Sequence, residues 1–234
     1  MSLKMEIVFI IIILTVSTAS SFVIKSHWEH VKLKTVPPAR VDARKTGELI
    51  LTCSATGSPA PSILWYKDDL FVPHLDFNIE EESVSLGETV AQLRLPCLTE
   101  SESGKYECRA RAGKQEVSVL TEVNIVDYDE NLCAEEGKPE ISMWRPMMMV
   151  EEGSVVVLPC RVKHPQDLDI SWTNGRGDGV GNDVRFVVRD NGDLVISSVT
   201  WTDMGQYTCT AKNMKGTSSV NTFLYPLAQS VSSF

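Results

Sequence analysis

The 234-residue sequence is poor in the groups that most chemistry requires. It has four histidines, His27, His30, His74 and His164. No nucleophile motif or acid pair accompanies them, so catalysis has little to stand on and no cofactor is implied. His27 and His30 are two metal-capable side chains on what is expected to be a flexible arm, and solvated side chains are the better reading. There is no C-x-x-C and no close Cys and His spacing, which argues against zinc. Excess positive charge is missing too: the formal net charge is −9, which disfavours nucleic acid and suits a soluble protein with a basic receptor. No N-x-Ser/Thr sequon occurs, leaving only the rare form at Asn131-x-Cys133 for N-glycosylation. After the first twenty residues no apolar run approaches membrane length, and no helical period is visible.

What is present begins with an address. Lys4 precedes the apolar run from Ile7 to Val16, about half of the roughly 20 residues that span a bilayer. Small residues follow, with Ser17-x-Ala19 or Ala19-x-Ser21 as cleavage sites. This is the pattern of a signal peptide over residues 1–21, and it predicts a secreted, extracellular chain with no membrane insertion. The C-terminal LAQSVSSF is too short and polar for a lipid-anchor signal.

Six cysteines in a secreted chain are read as disulfides, because the extracellular space is oxidising. Two pairs stand in a duplicated frame. Trp65 follows Cys53 at the interval at which Trp172 follows Cys160, and Tyr106 and Tyr207 each lie two residues before Cys108 and Cys209. Cys, Trp and Tyr-x-Cys so spaced belong to an immunoglobulin sandwich, in which the tryptophan packs on an inter-sheet disulfide and the tyrosine forms a corner. The fold class is therefore all-β, two tandem immunoglobulin-like β-sandwiches. The expected bounds are residues 37–126 for domain one, 127–140 for an acidic linker and 141–225 for domain two, with an arm ahead of Pro37. The remaining cysteines are Cys97 and Cys133. Aligning the repeats puts Cys97 at the position of Ser198, at the end of strand E, and Cys133 just past strand G, so a third bridge is expected to tie the linker to domain one. Free thiols and an intermolecular bridge are the rival readings.

Two further motifs narrow the family. Gly57-x-Pro59-x-Pro61-x-Ile63-x-Trp65-x-Lys67 and Ala211-x-Asn213-x-x-Gly216 resemble intermediate-set immunoglobulin domains of neural adhesion and axon-guidance proteins. A signal peptide and two such domains resemble the nematode secreted zwei-Ig family and the related insect insulin-binding two-Ig protein. The resemblance implies a secreted factor that maintains axon position or nervous-system architecture, or one that binds an insulin-like peptide. Domain two keeps Arg185 and Asp203 where the fold forms a salt bridge, whereas domain one has Glu102 without an evident arginine.

Alternation along the strands identifies outward faces. In domain one these carry Leu64 and Tyr66, then Glu107, Arg109 and Arg111, then Leu120 and Glu122. An apolar centre with a charged rim suits docking of a cell-surface or extracellular protein, with Leu64, Tyr66, Arg109, Arg111 and Leu120 as the contact set. Scattered surface hydrophobes are the plainer reading. Domain two offers hydroxyls and amides there, apart from Phe223. Trp144, Met147, Met148 and Met149, with Trp201, form a second group, read first as core and interdomain packing and second as a soft apolar seat for a peptide hormone. Finally, Arg176-Gly177-Asp178 lies in a glycine-rich turn, either an integrin-type motif or ordinary turn chemistry.

Overall fold

In a computed structural model, the structure describes residues 29–44, 48–73, 85–96, 98–126, 137–163 and 168–228. Cys97 and Cys133 fall outside these, and so does their pairing.

Domain one is built from β1 (His30–Thr35), β2 (Arg40–Arg44), β3 (Leu49–Ser58), β4 (Ser62–Lys67), β5 (Leu70–Phe71), β6 (Ser85–Leu95), β7 (Gly104–Ala112) and β8 (Gln115–Val126). The stretch ahead of Pro37, expected as an arm, instead supplies β1, paired antiparallel with β3. The reason is plain alternation: Val31 and Leu33 pack against the core while Lys32 and Lys34 face solvent. Gly57 makes that docking possible, since a Cβ there would lie 2.5 Å from the His30 carbonyl oxygen.

Domain two contains β9 (Ile141–Glu151), β10 (Val156–Leu158), β11 (Cys160–Val162), β12 (Asp169–Asn174), β13 (Phe186–Val188), β14 (Leu194–Ile196), β15 (Gly205–Asn213) and β16 (Gly216–Leu227). The Cys53–Cys108 disulfide joins β3 to β7 across the two sheets of domain one, and the Cys160–Cys209 disulfide joins β11 to β15 in domain two. Trp65 and Trp172 are buried beside them. Both tyrosine corners form: the Tyr106 hydroxyl donates to the Glu102 carbonyl and the Tyr207 hydroxyl to the Asp203 carbonyl, each at 2.9 Å. The Arg185 guanidinium grips the Asp203 carboxylate at 2.8 and 3.0 Å. Asp203 is buried, which opposes ionisation, yet Arg185 and the Thr200 amide and hydroxyl hold its carboxyl below the ordinary range. In domain one the Lys67 Nζ donates to the Ser101 carbonyl and sits 5.7 Å over the Tyr106 ring.

The two domains are not beads on a linker. Sheet order β1-β3-β6-β9-β16-β15-β12 makes one continuous eight-stranded sheet, with β11 also paired to β9. The junction is β6 against β9, antiparallel from Ser85↔Val150 to Ala91↔Met143. Among the described residues no other strand covers that edge of β6, and an open edge with unpaired N–H and C=O groups invites a partner strand. Along its opposite edge β9 pairs first with β11 and then, in parallel, with β16. The change of partner falls around Pro146, which has no N–H to commit to a ladder. Each core also borrows from the other domain: Ala60 packs into the domain-two core, and Met143 into that of domain one. The second sheet of domain one has the order β2-β8-β7-β4-β5, and that of domain two β10-β14-β13.

Candidate functional site

Two open sheet faces and one turn carry the groups singled out in the sequence. The first face lies on the five-stranded sheet of domain one. There Leu64 pairs with Arg109, Tyr66 with Glu107, and Glu107 with Leu120, so three strands bring these side chains to one surface. The Arg109 guanidinium stacks 4.1 Å above the Tyr66 ring and is held by the Glu107 carboxylate at 2.7 Å. A cation over an aromatic face and a carboxylate in plane fix both groups. The consequence is visible at Glu107, whose carboxyl is held below its ordinary range chiefly by the Arg109 hydrogen bond. Arg111 stands at the rim, 3.9 Å from Glu116. Leu120 is 59 % exposed.

The sequence reading missed the far side of this patch. Phe71 meets Tyr66 edge-on at 5.9 Å and remains 43 % exposed, with Leu70 more exposed still. Both come from β5, reached by a tight turn at Asp68 and Asp69 with φ of 47° and 66°. The Asp-Asp pair was the available signal, because aspartate tolerates left-handed turn positions.

The second face spans the domain junction. Cross-strand registers set Leu86, Met149 and Tyr225 in one row and Glu88, Met147 and Phe223 in the next, with Val90 beside Trp144. Met147 is 43 % and Phe223 42 % exposed. Trp201 meets Tyr225 edge-on at 5.7 Å. Met148 is buried in the domain-two core, so the methionine run divides: one residue packs inward and its neighbours look out. Apolar side chains from β6, β9 and β16 thus form a stripe built from both domains. On one side it is flanked by Lys34, in an ion pair with Glu88 at 2.6 Å. On the other lie hydroxyls and amides, where Thr208 donates to Asn221 and Thr210 shares a hydrogen bond with Ser219. A groove of about 330 Å³ opens near the stripe, lined by Ile50, Trp144 and Val220 and by Arg94, which is ion-paired to both Glu48 and Glu140.

The third element, Arg176-Gly177-Asp178, is an exposed turn after β12. His30 lies on β1, and the other three histidines fall outside the described residues. Among the described residues no group of acids, histidines and cysteines is arranged to hold a metal. No helix among them is long and apolar enough to cross a membrane.

Comparison with known proteins agrees with this architecture. The family model described as immunoglobulin domain matches residues 33–111 and 138–213. The chain is 32 % identical to the Zwei Ig domain protein zig-4 of Caenorhabditis elegans over 209 residues, covering 85 % of this chain and 81 % of that protein. It is 30 % identical to the neural/ectodermal development factor IMP-L2 of Drosophila melanogaster over 206 residues, covering 84 % and 77 %. The crystal structure of IMP-L2 superposes with a TM-score of 0.73 over 86 % of this chain and 97 % of that one, at 27 % identity. A score of that size over both domains requires a similar placement of one sandwich against the other.

Proposed function

Because the chain belongs to the zwei-Ig family of two-domain immunoglobulin proteins, we propose that it is a secreted, extracellular binding protein of the nervous system, which helps maintain axon position by recognising a neuronal cell-surface protein. It acts by binding and not by catalysis. The observation that carries this reading is the domain-one face: Tyr66 clamped between Arg109 and Phe71, with Leu64 and Leu120 beside it and Arg111 at the rim. Pre-fixed aromatic and arginine side chains lose little freedom on docking, which is the character of interface centres.

A second reading is supported by the junction stripe. Met147, Phe223, Leu86 and Trp201 offer an adaptable apolar seat between polar flanks, the chemistry that accepts the apolar side of a small helical hormone, and sequestration of an insulin-like peptide is the corresponding function. Both readings are tested in one experiment. The purified mature protein is presented to neuronal cell-surface ectodomains and to insulin-like peptides, with Tyr66→Ala and Met147→Glu as variants. A receptor interaction lost in Tyr66→Ala supports the first reading. A peptide interaction lost in Met147→Glu and indifferent to Tyr66→Ala replaces it with the second.

A further inference from the structure

The charged tripeptide after β12 belongs to neither face, and its geometry is that of a presented ligand. One residue organises the turn. Asn174 accepts the Gly177 amide on its carbonyl and donates its own amide to the Asp178 carbonyl, both at 2.9 Å. Its side-chain Oδ1 accepts the amides of Arg176 at 2.9 Å and Asp178 at 3.0 Å. A bridge between Thr173 and Gly179 closes the base. Four hydrogen bonds therefore fix the tripeptide backbone through a single anchor, which removes most of the ordering cost that a flexible loop would meet on binding.

The apex is Gly177, with φ of +85° and nothing within 4 Å of where a Cβ would stand. Glycine fits that backbone without strain and lets a second surface approach it closely. On either side Arg176 and Asp178 are exposed. Among the described residues neither side chain has a hydrogen bond or ion pair. Asp183 and Asp203, which border the same depression as Arg176, are already bound by Arg185, each at 2.8 Å. A carboxylate and a guanidinium are thus held out on a rigid turn with a bare glycine between them.

We propose that Arg176-Gly177-Asp178 is a docking site for an integrin-type receptor, one that presents a divalent cation with an open coordination position beside a carboxylate-lined pocket. Asp178 supplies an oxygen to the cation, a hard ion that takes oxygen ligands. Arg176 reaches the acidic pocket, where its planar fork pairs with carboxylate. Gly177 allows the two contacts to be made together. The site lies on domain two and shares no residue with the two faces of the proposed function.

The test is surface plasmon resonance of the full mature protein over a purified integrin ectodomain that recognises Arg-Gly-Asp, in manganese-containing buffer. Binding is expected to vanish on chelation with EDTA and to be competed by a linear Arg-Gly-Asp peptide. It should weaken by about tenfold or more in Asp178→Glu, whose longer side chain misplaces the coordinating oxygen. Asp178→Glu should unfold at the wild-type temperature, because the side chain is exposed and makes no internal contact, and Tyr66→Ala should bind as wild type does. No binding in manganese, or binding that survives either EDTA or Asp178→Glu, overturns the proposal.

Discussion

Gly87 is the most direct probe of the junction. It lies on β6 opposite Met148 of β9, and a Cβ there would come within 3.0 Å of both the Met147 carbonyl oxygen and the Ala60 Cβ, and 3.3 Å from the Met148 sulfur. Ala60 and Met148 belong to the domain-two core, so a side chain at Gly87 would push on the seam and on the core behind it. Gly87→Val adds two further methyl groups where a single Cβ is already in tight contact. Overpacking of this kind costs about 1–3 kcal/mol. For a unit of roughly 200 residues that is a fall of about 2–12 °C in Tm. The wild-type protein should unfold in a single calorimetric transition, since the domains share one sheet and exchange core residues. In Gly87→Val the transition should move down and split, and small-angle scattering should report a larger radius of gyration. Gly137→Val, where a Cβ would meet nothing within 4 Å, serves as the control and should leave both measurements unchanged. A Gly87→Val protein with a single transition at the wild-type midpoint and unaltered scattering would refute the reasoning.

Three other outcomes follow from the structure. Arg185→Ala removes both contacts to buried Asp203 and should cost about 1–3 kcal/mol in urea denaturation, because a charged acceptor is left without its partner; an unchanged midpoint would show that water replaces the guanidinium without loss. The Tyr207 phenol, pushed up to about 12 by burial and by the Asp203 charge, should make the fold lose stability in alkali. Its folded value lies above the unfolded value of about 10, so the stabilising contribution is complete below about pH 10 and is lost as pH rises towards 12; spectrophotometric titration should find a slowly ionising tyrosine class, and ordinary titration of all tyrosines in the folded protein would contradict this. Peptide mapping without reductant should return Cys53 with Cys108 and Cys160 with Cys209, and the same digest tests Cys97 with Cys133.

How much of this was legible in the sequence depended on how local the signal was. The sandwiches were readable because Cys53, Trp65, Tyr106 and Cys108 constrain one another within a single domain, as do their counterparts. The outward set of Leu64, Tyr66, Arg109 and Leu120 followed from parity alone. β1 was obscured because its alternation is carried by two half-buried residues between lysines. The shared sheet was not readable. It depends on which edge of β6 is left open and on where Pro146 lets β9 change partner, and both are properties of the assembled sheets. The methionine run contained the clue without its meaning: three flexible apolar residues in a row suit a strand with a domain on either side, since Met148 fills the core while Met147 and Met149 stay on the open face.

The shared sheet also determines how the candidate surfaces stand to one another. In domain one the five-stranded sheet and the β1-β3-β6 portion of the eight-stranded sheet are the two layers of one sandwich, joined by the Cys53–Cys108 disulfide. Tyr66 lies on the outer side of one layer and Leu86 on the outer side of the other, so the receptor-type face and the junction stripe look in opposite directions. A ligand on one does not cover the other. Two domains on a loose linker would sample many relative orientations, and a stripe drawn from β6, β9 and β16 would not persist. Here the backbone ladder holds all three strands in register, and the stripe is as rigid as the sheet that carries it. The junction therefore converts two ordinary sandwiches into one body with two fixed and opposed candidate faces, one of them drawn from both domains.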